Sequence, residues 1–432
     1  MVVGRAWGRD FVDGRRAAVT ANGKSRRKRR HRHAERRRHP TTTLRTETQP
    51  PLSRELFHLD PGVAFLNHGS FGATPRAVLA EAQRWQVEME RQPVAFLQRR
   101  FLELMEGARR PLAAAVNADP RDLVLFPNAT VALNLVARSL DLHPGDEVLA
   151  SEHEYGAMDR MWRRLCPAAG ASYRTAPAPL TNHAAFAEAL WSAVTPRTRA
   201  LFISHVTSPT ALILPVAELC RRARAQGIIT IVDGAHAPGQ IPVDLAAIGA
   251  DFYAANAHKW LCAPKGAAFL HARPEAQQRL EPLVISWGDA GFAVTGSAFL
   301  DELQWTGTRD LSAWLAIPAA LRFWEENGGE TVRARCRELA RESRRELSRI
   351  TDVEPLCPDS PEWFAQMFAV PLPPCDGPRL QAEMLARHQV EVPVTRWHDG
   401  ALLRVSVQGY NGPRDLARLA AALADCLPRA RR

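Results

Sequence analysis

Past residue 50 the chain carries 41 basic residues, yet only two are lysines, Lys259 and Lys265, both inside the stretch NAHKWLCAPKG at 256–266. Arginine serves solubility and ion pairing as well as lysine does. Its guanidinium stays protonated and forms no imine, whereas a lysine amine can lose its proton and attack a carbonyl. Lys259 is therefore a candidate imine-forming nucleophile, and Lys265, in a PKG turn, reads as structural. Asp233 closes the apolar run IITIV in VDGAH, 232–236. A carboxylate at that place needs a partner. A protonated pyridine nitrogen would supply one and would keep its ring electron-withdrawing; the competing reading is an aspartate that caps its own loop. His236 is a candidate donor to a ring hydroxyl, or else an internally satisfied loop histidine. PNAT, 127–130, opens a helix pattern. Free N–H groups of Ala129 and Thr130 and the Thr130 hydroxyl suit a phosphate, although Asn128 and Thr130 also make an ordinary N-cap. His258, beside Lys259, is a further phosphate candidate.

These residues need elements that bring them together. Helix patterns run over 76–91 and 101–116. DLVLF, DEVLAS, RALFISHV, IITIVD, ADFYAAN and GAAFLHA read as strands, alternating with helices in TVALNLVARSL, AMDRMWRRLCPAAG and PVAELCRRARAQG. Such alternation predicts a mostly parallel sheet with helices on both faces. Polar groups at the carboxyl ends of such strands converge on the ligand crevice. A phosphate cradle, a buried acid and an imine-capable lysine follow one another at successive strand ends, and together they describe a pyridoxal phosphate site. From 311 the pattern changes to one long helix in SAWLAIPAALRFWEENGG, a second in ETVRARCRELARESRRELSRI, then WFAQMFAVPLP, a helix over 378–388, QVEVPV, ALLRVSVQGYN and a last helix. No internal repeat is present. The expected division is a basic tail at 1–50, a large α/β domain at 51–310 and a small α+β domain at 311–432, with 51–75 packing near the small domain.

The net charge of +10 belongs to the tail, whose 15 Lys+Arg face 4 Asp+Glu; the remainder is nearly neutral. The tail lacks apolar runs and reads as disordered. It is read as an unstructured extension, in preference to an arm that binds nucleic acid, because no aromatic residues interleave its arginines. It has no apolar h-region of a secretory signal, and no stretch reaches the apolar length of a membrane span. Seven widely spaced cysteines without a CxxC pair argue against both a zinc site and a disulfide framework, and no metal is expected; a reducing cytoplasm suits them.

The stretches FLNHGSFGATP, FPNAT, HEYGA, SHVTSPTALILPV, VDGAHAPGQIPVDL, NAHKWLCAPKG, WTGTRD and LLRVSVQGYN together resemble the class V aminotransferases of fold type I, in their isopenicillin N epimerase-like branch. The resemblance covers about residues 53–427. It implies pyridoxal 5'-phosphate as cofactor, held as a Schiff base on Lys259, which then shuttles the Cα proton. It implies that Asp233 pairs with the pyridine nitrogen and His236 with the ring hydroxyl. Asn128, Ala129, Thr130, Ser208 and His258 join the cofactor-binding set, and Tyr155 lies against the ring. It places Thr308, in TGT, at the phosphate of a partner subunit, so a homodimer with shared sites is expected. Arg404 grips the carboxylate of an amino-acid substrate, bidentately, and Asn67, His68 and Arg309 border that substrate; for Arg309 an ion pair with Asp310 or Asp301 is the competing reading. The expected activity is epimerase-like or aminotransferase-like chemistry at Cα. One alternative is a C–S lyase or cysteine desulfurase, for which Cys262 and Cys357 are the cysteines at hand, although neither stands in a flexible glycine- or serine-rich segment. The alternative of another class is a non-catalytic protein that keeps the cofactor fold and binds nucleic acid through its tail. The chain departs from the family at Ala211, where glycine is common.

Overall fold

The computed structural model describes residues 49–288 and 294–431, all within one compact unit, Arg45–Arg432. All but the last two residues of the basic tail lie outside the described residues, so its disorder and its nucleic-acid reading are not addressed by the fold.

The described residues form twelve strands: β1 (Ala64–Phe65), β2 (Leu123–Phe126), β3 (Glu147–Ser151), β4 (Ser172–Ala176), β5 (Thr198–Ser204), β6 (Ile229–Asp233), β7 (Phe252–Asn256), β8 (Ala268–Ala272), β9 (Met367–Leu372), β10 (Val390–Glu391), β11 (Val394–Trp397) and β12 (Gly400–Ser406). Seven of them build the central sheet in the order β2-β8-β7-β6-β5-β3-β4. The run β7-β6-β5-β3-β4 is parallel, and β8 lies antiparallel between β7 and β2. Every residue of β2, β3, β6, β7 and β8 is buried, as continuous apolar runs with helices on both faces require. The mostly parallel α/β sheet expected from the sequence is present.

Two elements escape the sequence reading. SYRTA forms β4 at the sheet edge, with mixed exposure, and His183–Ser192 is a helix. A third expectation is corrected: the long helix over 312–329 is two, Ser312–Leu315 and Ile317–Glu326. Pro318, in the first turn of the second helix, cannot continue the ladder of the first.

Toward the C-terminus β9, β12 and β11 form a three-stranded antiparallel sheet in which Arg404 stands opposite Ala369. The N-terminal segment joins the C-terminal elements, since β1 pairs with β10 in parallel, Ala64 opposite Val390, and Asn67 bridges to Ser406. The chain then turns into the short helix His68–Phe71 and passes the lysine loop at Gly72. There φ is +71°, and a β-carbon would stand 2.1 Å from the His258 carbonyl oxygen, so only glycine fits. Two tryptophans fasten the lysine loop from outside. Trp314 donates its indole N–H to the Gly266 carbonyl at 2.9 Å, and Trp324 donates to that of Leu261 at 3.2 Å.

Candidate active site

Register puts the polar ends of the inner strands side by side. Ser204 closes β5 opposite Asp233, which closes β6, and Asn256 closes the neighbouring β7. Lys259 follows Asn256 by three residues. The residues around these ends enclose a cavity of about 430 Å³, lined among others by Asn128, Thr130, Tyr155, Ser208, Asp233 and Lys259. Ala129, His236, His258 and Arg404 line it too. Gly234 keeps VDGAH tight, because a β-carbon there would stand 2.2 Å from the Tyr253 ring.

Lys259 Nζ stands 3.1 Å from His236 Nε2. Burial, with help from the Arg404 guanidinium and against the pull of Asp233, pushes the Lys259 amine down to about 7. Burial also holds the His236 imidazole well below its usual range, reinforced by Lys259, Arg404, His258 and His68. Asp233 is raised above the ordinary carboxylate range by burial, opposed by the Ala235 N–H and by Lys259. One of its oxygens accepts from that N–H at 2.9 Å. Behind it lies Glu154, a carboxyl the sequence reading missed. Burial pushes it up to about 8, its two serine hydrogen bonds oppose the shift, and Asp233 adds to it. Ser204 bonds one Glu154 oxygen at 2.6 Å and Ser151 the other.

On another wall of the cavity sits Arg404, 5% exposed. Its Nη1 donates to the Ser208 carbonyl at 2.8 Å and the Ser208 hydroxyl at 3.2 Å, and its Nη2 donates to Ser70 Oγ at 3.0 Å. Ser70 is itself held by Asn67, whose amide donates to Glu391 at 3.1 Å. Among the described residues no carboxylate pairs with Arg404, and its Nε has no partner. Burial lowers it only to about 10, with Tyr155 opposing the shift, so it remains a cation at neutral pH. A buried guanidinium with hydroxyl and carbonyl contacts alone is a receptor for an anion.

The phosphate cradle differs in detail from the sequence expectation. Asn128 caps the helix Ala129–Arg138, its side chain accepting from the Val131 N–H. The Ala129 N–H donates to Asn256 Oδ1 at 2.9 Å. Thr130 therefore offers the N–H and hydroxyl at this helix start, with the helix dipole behind them. The His258 Nδ1 lies 3.1 Å from the Ala267 carbonyl and donates to it. Burial holds this imidazole near 4, so the neutral ring presents Nε2 as an acceptor. A phosphate beside it would draw the ring toward imidazolium, the form that donates.

A dry acid at a strand end, a lysine beside an imidazole, a helix N-terminus and a buried arginine fit a phosphorylated pyridine aldehyde and an amino-acid carboxylate. The comparisons with known proteins agree. The family model described as aminotransferase class-V matches residues 68–419. The chain belongs to the class-V aminotransferase family. It is 41% identical over 378 residues to an isopenicillin N epimerase of Streptomyces clavuligerus, covering 84% of this chain and 95% of that one. It is 30% identical over 410 residues to a probable chloroplastic L-cysteine desulfhydrase of Arabidopsis thaliana, covering 86% and 84%. Among solved structures, a C-DES mutant with glycine linked covalently to its PLP cofactor superposes with a TM-score of 0.76 at 23% identity, covering 87% of this chain and 100% of that one. Membership makes the chain an enzyme and leaves its reaction open between these relatives.

Within this class-V chain, four residues expected at the site stand apart from the cavity wall. Asn67 and His68 do not line it. Asn67 is spent on Ser70 and Glu391. His68 is fully buried, its Nδ1 2.8 Å from the Tyr410 hydroxyl and its Nε2 3.0 Å from the Lys259 carbonyl oxygen. Both hold the wall from behind, and their neighbours Gly69, Ser70 and Phe71 form it. Arg309 lines an adjoining cavity of about 700 Å³. It stacks on Trp314 at 3.8 Å and donates to the Gln304 carbonyl; neither of the expected ion pairs forms, for Asp310 bonds Gln86 and Asp301 bonds Thr295. Thr308 is exposed and lines neither cavity.

Lys265 lines both cavities, although its turn read as structural. Ser204 and Asn256 were also missed; the available signal was that each apolar run here ends in a polar residue. The two cysteines weighed for sulfur chemistry are packed away. Cys262 is fully buried and Cys357 nearly so; burial raises both thiols, the latter to about 11.

Proposed function

We propose that this chain is a pyridoxal phosphate-dependent enzyme that removes and returns a proton at Cα of an amino acid with a free carboxylate, in the manner of an epimerase. The observation that carries the proposal is the pairing, across one cavity, of a largely neutral Lys259 amine 3.1 Å from His236 with a buried Arg404 that no protein carboxylate neutralises. When bound, the cofactor supplies the electron sink that stabilises charge at Cα. Lys259 is the attachment point and the general base, its amine close to the operating pH. Asp233 holds the proton on the pyridine nitrogen. Thr130 and His258 take the phosphate, His236 faces the ring hydroxyl and Tyr155 the ring. Arg404, aimed by Ser70 and Ser208, fixes the substrate carboxylate and so decides which Cα bond faces the base. Thr308 serves the site of a second copy in a homodimer. The large and small domains divide near 310, and the enzyme works in the cytoplasm. Among the described residues no helix is long and apolar enough to cross a membrane.

A C–S lyase reading is supported by the desulfhydrase relative, since proton removal at Cα precedes loss of a β-sulfur as well. A desulfurase that relies on a mobile nucleophilic cysteine is not supported by Cys262 or Cys357, both buried with raised thiols.

The test is the visible absorption spectrum of wild type beside Lys259→Ala, before and after borohydride. Wild type should show a band that borohydride converts and fixes, and the variant should lack it. Amino acids are then screened in deuterated water. Exchange at Cα with inversion supports the epimerase reading; pyruvate and sulfide release from cysteine would replace it with the lyase. A wild type without the band after addition of cofactor would overturn both.

A further inference from the structure

His236 is held from two sides. Its Nε2 stands 3.1 Å from Lys259 Nζ, and its Nδ1 receives the indole N–H of Trp260 at 3.3 Å. An indole nitrogen can only donate. The Nδ1 it reaches must therefore present a lone pair. A neutral imidazole has one N–H and one lone pair, so the proton has a single place left. We infer that Trp260 is a positioning residue that obliges His236 to carry its proton on Nε2, toward the Lys259 amine.

The consequence falls on the lysine. An Nε2–H directed at Nζ needs a lone pair there, which the free amine has and the ammonium lacks. Trp260 thus favours the nucleophilic form of Lys259 from two residues' contacts away, and does so without a charge of its own. The indole is fully buried, with its ring centroid 5.1 Å from that of His68. The other charged or titratable groups that act on His236 are Arg404, His258 and His68, and Asp233 acts on Lys259. Of these Asp233 alone favours the ammonium. His68 and His258 are held neutral by burial, and Arg404 repels a second cation. The tautomer lock therefore works with the field of the site. A phenylalanine at 260 would fill similar space without the donor. His236 could then move its proton to Nδ1 and accept from the ammonium through Nε2, which would raise the amine's pKa by the worth of about one hydrogen bond, roughly one pH unit.

The inference rests on the proposed function only for its optical readout. Cofactor-free protein is mixed with pyridoxal phosphate from about pH 5.5 to about pH 9.5, spanning the shifted and ordinary lysine values, and the rate of band formation is recorded. The wild-type rate should rise with a midpoint near 7, and that of Trp260→Phe roughly one unit higher. In a His236→Gln background the tryptophan change should add no further shift. Superimposable wild-type and Trp260→Phe profiles, or an equal shift with and without His236, would overturn the lock. A second measurement needs neither the cofactor nor a folded Trp260 variant. Nitrogen-15 NMR of cofactor-free protein labelled on histidine, assigned by difference from His236→Gln, should show a pyridine-type Nδ1 and a pyrrole-type Nε2. The reverse pattern would refute the inference even if no band ever forms, whereas a missing band with the expected pattern would refute only the proposed function.

Discussion

At one end of the cavity Lys259, His236, Asp233 and Glu154 are all displaced toward their neutral forms, and burial is the largest cause for each. At the other end Arg404 is just as deeply buried, yet it keeps its charge, cradled by Ser208 and Ser70. The same desolvation meets two chemistries. A lysine near 7 exchanges protons at working pH, and a catalytic group gains most when its pKa lies there. A guanidinium near 10 does not exchange, and it fixes an anion through rigid donors. The lysine end is suited to reaction and the arginine end to recognition.

The largest test of this contrast is Arg404→Gln. If the arginine only recognises, the cofactor band should persist while kcat/KM for the amino acid falls about 10²- to 10³-fold, the usual loss when one partner of a buried hydrogen-bonded charge pair is truncated. An amine that lacks the carboxylate should react with wild type and variant alike. Equal losses for both substrates would mean that Arg404 supports the lysine end and that the division is false.

The sequence made the lysine end legible because its signal was chemical: one lysine in a setting where arginine replaces the others, and an acid closing an apolar strand. The family resemblance added Arg404. Partners joined only by strand register were hidden. Asn256 meets the Ala129 N–H, 127 residues away, and Glu154 meets Ser204, 50 residues away. Asn67 and His68 sit in a motif that does border the cavity, but a motif does not say which of its side chains faces inward, and here the inward ones are Ser70 and Phe71. In the fold, the buried strands were legible as apolar runs. The edge strand β4 was not, since SYRTA carries no apolar run, nor was His183–Ser192, whose apolar residues are spread around the helix.

A smaller test concerns the neutral bias itself. The folded-state pKa of Glu154 is raised from its ordinary value to about 8. The folded protein therefore binds this proton more tightly than the unfolded chain does. Stability from this group is complete below its unfolded value near 4.5 and is lost as pH rises through about 8. Glu154→Gln keeps a neutral hydrogen-bonding group beside Ser204 and has no proton to lose. Its urea midpoint relative to wild type should improve steadily from pH 5 to pH 8.5, by roughly 2 kcal/mol at the alkaline limit, the order of a buried polar mismatch. A pH-independent difference would show that the carboxyl is ionised throughout and that the lysine end is not biased toward neutral forms.

The smallest expected effect lies in the loop that aims the arginine. Ala211 has φ of +58° and is fully buried. Around it Thr207 accepts from the Leu212 N–H at 2.8 Å and donates its own N–H to the Leu212 carbonyl at 2.9 Å, which closes a tight turn beside Ser208. An alanine in the left-handed region costs about 1–2 kcal/mol relative to right-handed backbone, whereas glycine occupies it freely but gains entropy in the unfolded chain. The balance favours Ala211→Gly by about 0.5–1 kcal/mol, read as a rise in the urea midpoint. The lysine loop has its own left-handed residue, Cys262, with φ of +62° and its N–H bonded to the Lys259 carbonyl at 3.0 Å. The two ends thus share a device, a strained turn next to a working residue, and relaxing one of them separates strain from function. If Ala211→Gly stabilises the protein and leaves KM unchanged, the strain is incidental and the hydrogen bonds of Ser208 suffice to aim Arg404. If it stabilises the protein but raises KM severalfold, the stiffness of the alanine turn is part of how the arginine end recognises its anion.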